Sequence, residues 1–154
     1  MAHRWARGGF RLGALVGTRR DALDRRVPSR DALTNLSDAP LAVDDAYTLW
    51  MYLDARIRDF PTAARHGLGA RLLDVTLDVV DVLLQATYAP RSSPARRDAL
   101  ARANQRIAFL RVLLRGARER HYLSVDQSEH ATKLLLSLGG RVGAWLREAS
   151  KNAP

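Results

Sequence analysis

Imidazole serves both as a metal ligand and as a general base near neutral pH, so the histidines are the first residues to test for chemistry. They stand at His3, His66, His121 and His130. No two of them have the i,i+4 spacing that places two ligands on one helix face, and no Glu-x-x-His occurs. Asp44 with Asp45, and Glu129 with His130, are adjacent in sequence, so their side chains diverge on a helix. The chain has no cysteine, which excludes thiolate metal sites and disulfides. Neither a Gly-x-Ser-x-Gly elbow nor a P-loop is present. A small enzyme using His66 or His130 is one reading; a surface or partly buried histidine near a helix start is the simpler one. The expectation is a chain without catalytic, metal or cofactor sites.

Arginine is the other residue type with a distinctive chemistry here. The formal net charge is +9, and of 25 basic residues only Lys133 and Lys151 are lysine. The arginine skew is compatible with a GC-rich genome, but the sign of the charge favours acidic partners. Residues 95–120 hold eight arginines against Asp98 and Glu119, net +6. On a helix Arg111, Arg115 and Arg118 follow one edge of an apolar stripe, and Arg102 and Arg106 follow the other. Arg141, Arg147 and Lys133 add charge further on, and Arg65 and Arg71 flank the stretch "HGLG". Planar guanidinium forks match phosphate oxygens, so Arg65, Arg71, Arg102, Arg106, Arg111, Arg115, Arg118, Arg141 and Arg147 are the candidate nucleic-acid or partner contacts. Few aromatic residues are interleaved, which points to backbone or shape contacts rather than base stacking. The bland alternative is a solvated basic face on an oligomeric scaffold.

The elements that carry these residues read as helices. Ala46, Leu49, Trp50, Leu53, Ile57 and Phe60 form one apolar face, with Asp44 and Asp45 suited to the helix start. Pro61 ends that helix at Phe60 and suits the first turn of a second, Thr62 to Tyr88. Ser93-Pro94 reads as N-cap and N1 of a third helix, which runs to about Glu119 along Leu100, Ala103, Ile107, Leu110, Leu114 and Ala117. Ser124 and Gln127 form a capping box for a fourth, whose inner face is Ala131, Leu134, Leu135, Leu138, Val142, Trp145 and Leu146. Four helices with short connections and no strand signal predict an all-α, up-down-up-down four-helix bundle.

Two features exceed what one bundle needs. In the second helix Leu68, Leu72, Val75, Val79, Val82 and Leu83 share a side, while Leu73, Leu77, Val80 and Leu84 widen the apolar arc past the usual stripe. Burial on two sides predicts self-association into a dimer or closed ring. Gly67 and Gly69 lie within one turn of the same helix, and Gly139, Gly140 and Gly143 follow in the fourth. Glycine costs about 1 kcal/mol in a helix interior, so close packing of backbones is the expected gain. A phosphate cradle at "HGLGAR" is the rival reading, but no strand precedes it, so it is no dinucleotide fingerprint.

Along the chain, residues 1–40 read as a basic, disordered arm with eight arginines and four aspartates, or as a start assigned too far upstream. As a secretory signal or transit peptide this stretch is poor to fair. Residues 41–149 form the bundle and 150–154 a tail. No apolar run is long enough for a membrane span, and the absence of cysteine fits a cytoplasmic setting.

The stretches "YTLWMYLDARIRDFPTAARHGLGARLLD" and "RANQRIAFLRVLLRGARERHYLSVDQSEHATKLLLSLGGRVGAWL", in this order, resemble the accessory variability determinant (Avd) proteins of bacterial diversity-generating retroelements. The resemblance covers about residues 45–148. Its most specific parts are Phe60-Pro61, Arg65, Leu68-Gly69, Arg71-Leu72, Ala103-Asn104, Leu123-Ser124, Glu129-His130 and the Gly-x-Trp-Leu end from Gly143 to Leu146. Residues 1–40 have no counterpart in it, and Thr62-Ala63-Ala64 is less polar than that family's turn. The resemblance implies a basic four-helix bundle assembling as a homopentameric barrel. It implies a protein that is not itself an enzyme and that binds reverse transcriptase and template RNA, or an RNA/DNA hybrid, in mutagenic cDNA synthesis. The four-helix protein encoded in intervening sequences of bacterial large-subunit ribosomal RNA genes is the alternative of similar fold.

Overall fold

The computed structural model describes residues 39–151, all of whose regular elements are helical. The expected arm, residues 1–40, lies outside the described residues apart from its last two positions, and so do residues 152–154 of the tail. Helix α1 spans Ala39–Ile57. It already includes Ala39 and Pro40, before Asp44, and Pro40 is tolerated in a first turn because it has no amide hydrogen that the helix would have to satisfy. Asp44 and Asp45 therefore lie inside α1 rather than at its start. At the other end α1 stops at Ile57, short of the expected Phe60. The residue before a proline is held out of helical geometry, and the chain closes instead with i to i+3 bonds, Asp59 N to Arg56 O at 3.1 Å and Phe60 N to Ile57 O at 3.0 Å.

Pro61 is the extended N-cap residue of the second helix (φ −51°, ψ 145°), which starts at Thr62 as expected from sequence. This helix, α2, has three contiguous parts: Thr62–Ala64, a π-helical segment Arg65–Gly69, and Ala70–Tyr88. The π turn is marked by the Ala70 amide, which donates to Arg65 O. Helix α3 spans Pro94–Glu119, and the Ser93 hydroxyl accepts from Arg96 N at 3.2 Å, the N-cap expected from sequence. Helix α4 spans Val125–Lys151. Its capping box is reciprocal: Gln127 N donates to Ser124 Oγ at 3.2 Å, and Ser124 N donates to Gln127 Oε1 at 3.0 Å.

Helix α3 ends in a Schellman motif without glycine. Tyr122 N reaches Ala117 O and His121 N reaches Arg118 O, each at 2.9 Å. His121 takes the left-handed conformation (φ 58°) that glycine usually supplies there. Tyr122 then packs its ring against Phe60, with centroids 5.4 Å apart.

Helices consecutive in the chain pack against each other, and α1 closes the circuit on α4. Adjacent helices run in opposite directions. Gln85 meets Arg102 while Arg71 meets Phe109 across α2 and α3. Tyr52 meets Gln127 while Asp45 meets Arg141 across α1 and α4. The core is the sum of the inner stripes: Leu49 and Leu53, Leu72, Val79 and Leu83, Leu100, Ile107 and Leu110, and Leu135, Leu138 and Val142 are all buried. Trp50, Leu134, Trp145 and Leu146, expected to face inward, are only half-buried at its margin.

Candidate nucleic-acid and partner interface

The arginines of α3 lie on both sides of its buried stripe because the stripe repeats every three to four residues and leaves two flanks. On the flank toward α2, Arg102 donates to Gln85 Oε1 at 2.9 Å and Arg106 lies 3.8 Å from Asp78. Arg71 of α2 sits over the Phe109 ring, 5.6 Å from its centroid. The structure thus brings Arg71, Arg102 and Arg106 to one seam, where Asp78 and Asp81 offset part of the charge of Arg102 and Arg106. On the opposite flank Arg111 crosses onto α4: a Cβ at Gly139 would lie 3.0 Å from its Nη2. Arg118 is exposed on the same helix. Arg115 is taken up within α3, donating to Glu119 at 2.7 Å; this bond, and then the carboxylate charge, raise the arginine's pKa above its ordinary value.

Arg141 belongs to a different face. It donates to Asp45 at 2.6 Å in the α1–α4 seam, with Ser137 on the same carboxylate at 3.2 Å. Asp45, expected to serve a helix start, instead ties two helices together. Arg147 is exposed on α4, and Arg65 donates to Thr62 Oγ1 at 3.1 Å. The nine arginines therefore do not form one patch: Arg71, Arg102 and Arg106 lie at the α2–α3 seam, Arg111 against α4 and Arg141 at the α1–α4 seam. Six of them, Arg65, Arg71, Arg102, Arg111, Arg118 and Arg147, have no carboxylate within ion-pair distance among the described residues.

Arg96 shows how a basic residue can leave this account altogether. It is buried in α3, where its Nε donates to Ala86 O at 2.9 Å and its Nη2 to Thr87 O at 3.2 Å. Those carbonyls end α2, so Arg96 caps the neighbouring helix from the side. Its guanidinium lies 5.7 Å from the Trp145 ring centroid. Burial lowers its pKa, nearby Arg91 lowers it further and Glu148 opposes both. The sequence carries the signal: 96, 100, 103, 107, 110, 114 and 117 are one helical stripe, and Arg96 is its polar member.

The glycines separate in the same way. A Cβ on Gly69 would come within 2.6 Å of Ile57 Cγ2 and 3.3 Å of Ala64 O, so α1 and α2 meet there as closely as the backbone allows. Gly139 accommodates Arg111, and Gly143 has only its own helix's Arg147 nearby, at 3.5 Å. At Gly67 and Gly140 a Cβ would meet no atom within 4 Å, so packing inside this chain does not require glycine at either.

The three histidines among the described residues lie apart. His66 is exposed on the π-helical segment, His121 occupies the left-handed turn, and His130 packs against the Tyr52 ring at 4.6 Å. The Tyr52 hydroxyl donates to Gln127 O at 3.1 Å, and burial raises its pKa, with Arg56 opposing. Among the described residues no three His, Asp or Glu side chains are grouped so as to hold a metal ion. No helix among them is long and apolar enough to cross a membrane. No protein-family model matches this chain, and no curated protein is significantly similar to it.

Proposed function

We propose that this chain is a non-enzymatic accessory protein of a diversity-generating retroelement. In this reading it acts in the cytoplasm, binds reverse transcriptase and template RNA, and supports mutagenic cDNA synthesis as a ring-shaped homo-oligomer. The observation that carries the reading is the set of exposed arginines without carboxylate partners among the described residues, Arg111 and Arg118 foremost, on an all-helical scaffold. Guanidinium groups held on rigid helices at the surface suit phosphate contacts that position RNA without reading its bases. The sequence resemblance supplies the retroelement context and the number five.

Self-association is supported by apolar side chains left outside the core. Leu77 and Leu84 of α2 are 46% and 39% exposed, and Tyr47 and Met51 of α1 are exposed as well. Leu73 and Val80, on the same strip of α2, are half-buried. A helix apolar on two sides buries the second side against another copy at a gain of roughly 25 cal/mol per Å2.

The test is binding to a structured RNA over a salt series, with particle mass measured by light scattering in the same buffers. Six to ten phosphate contacts imply a loss of about 10^3 to 10^5 in affinity between about 50 and 200 mM salt. A monomer indifferent to RNA would overturn the reading. Copurification with the reverse transcriptase, and its loss on reversing Arg111 and Arg118 to Glu, examines the second partner.

A further inference from the structure

Where α2 begins and α3 ends, the two helices part around a groove of about 630 Å3. Leu68 and Arg71 contribute from α2, Val112 from α3 and Arg120 from the residue just past the end of α3. Gly67 and Gly116 line it, one on each helix, and a Cβ at either would meet no atom within 4 Å. Their missing side chains leave room instead of letting helices touch. Val112 is 63% exposed, although it stands on an apolar wall.

Two backbone irregularities border this groove. The π-helical segment carries Gly67 and Leu68, and the left-handed His121 stands between Arg120 and Tyr122. Both kinds of irregularity concentrate at functional sites, where the cost of an unfavourable backbone is retained for a purpose.

The charge of the groove selects its occupant. Further along the same seam, Asp78 and Asp81 stand opposite Arg102 and Arg106. No carboxylate lines the groove at Gly67 and Gly116, so Arg71 and Arg120 bring positive charge to an apolar cleft without compensation from its walls. A nucleic-acid backbone would satisfy the charges but offers nothing to cover Leu68 and Val112. An acidic peptide segment with one bulky apolar residue satisfies both. We propose that this groove docks an acidic segment of a partner protein, with a bulky apolar side chain between Gly67 and Gly116 and carboxylates on Arg71 and Arg120. The assignment rests on the partner-binding half of the reading above, not on its RNA half.

The experiment uses the full chain, labelled with 15N, and two synthetic peptides: one tryptophan flanked by leucine and glutamates, and the same sequence with lysine for every glutamate. The acidic peptide should shift the amide signals of Gly67, Leu68 and Gly116. Gly116→Phe fills the groove from inside, and should weaken that binding by about tenfold or more. Reversing Arg71 and Arg120 to Glu should do the same. If Gly116→Phe loses its helical circular dichroism, Gly67→Leu fills the groove from the other helix and is read the same way. Unmoved groove signals, equal binding of the lysine peptide, or binding indifferent to both filled variants would overturn the proposal. So would a short oligouridylate that moves the same signals when the acidic peptide does not. A fall in particle mass on Gly116→Phe alone would also overturn it, by making the groove a contact between copies. RNA binding that persists in a filled variant leaves the RNA half of the proposed function standing, so the two can fail separately.

Discussion

Arg96 occupies a position on the α3 stripe where an aliphatic side chain would otherwise close the core. Its two hydrogen bonds satisfy carbonyls at the end of α2 that the helix cannot satisfy itself. Arg96→Met should therefore destabilise the bundle by about 2–4 kcal/mol, read as a lower urea midpoint at unchanged slope. Arg96→Lys should recover only part of this, because a single ammonium replaces a planar fork that reaches two carbonyls. Tyr52 makes a second prediction. Its pKa is raised, so its contribution is complete below the ordinary tyrosine value near 10 and is lost as pH rises through the higher folded-state value. Tyr52→Phe should cost about 0.5–1.5 kcal/mol at neutral pH by removing the bond to Gln127 O. The same variant should flatten the fall in stability above about pH 10, measured by urea unfolding at several pH values. The stripe was read from Leu100 onward, one step short of Arg96; its spacing signals the burial of Arg96 but not the two carbonyls it caps. The role of Tyr52 was not legible, because its partner lies far along the chain.

At the scale of the element, two neighbouring glycines predict opposite outcomes. Gly69→Ala should destabilise by about 1–3 kcal/mol, since the new methyl meets the stiff, branched Ile57 and a backbone oxygen. Gly67→Ala should be neutral or stabilise by up to about 1 kcal/mol, since it gains helix propensity in open space. If thermal unfolding ranks them the other way, the close contact of α1 with α2 is misassigned. The turn after α3 gives a further comparison. His121→Gly relieves a left-handed side chain and should raise stability by roughly 1 kcal/mol. Helix termini were readable wherever a side chain makes the cap, as at Ser93 and at Ser124 with Gln127. They were misread at α1, which already includes Ala39 and stops at Ile57, three residues before the end assigned from Pro61. Gly67 and Gly69 marked the π segment in the sequence, but two glycines in one turn do not distinguish a widened turn from close packing of helices.

For the whole molecule, the distribution of charge matters more than its sum. The +9 of the chain includes Arg96, which is buried, and Arg106, Arg115 and Arg141, which stand beside carboxylates. Reversing Arg111 and Arg118 should thus weaken RNA binding and shallow its salt slope by about two, with helical content unchanged. The matching reversal of Arg115, already held by Glu119, should do less. The bundle and its neighbours were legible because four stripes with short connections leave few ways to pack. The spread of the arginines over several faces was not, since it depends on which flank of each stripe meets which neighbour.

The π turn has a consequence for heredity. Ala64 and Gly69 are both buried, yet they are five residues apart, where an α-helix returns to the same face after three or four. One residue between them is therefore surplus to the α-helical count. A descendant that loses Gly67 could close an ordinary helix there, keep the buried face from Leu72 onward, and narrow the groove beside Gly116 in a single step. In a lineage of such chains, length variation would fall inside this helix as readily as in the loops, and it would separate chains that retain the docking groove from chains that have closed it.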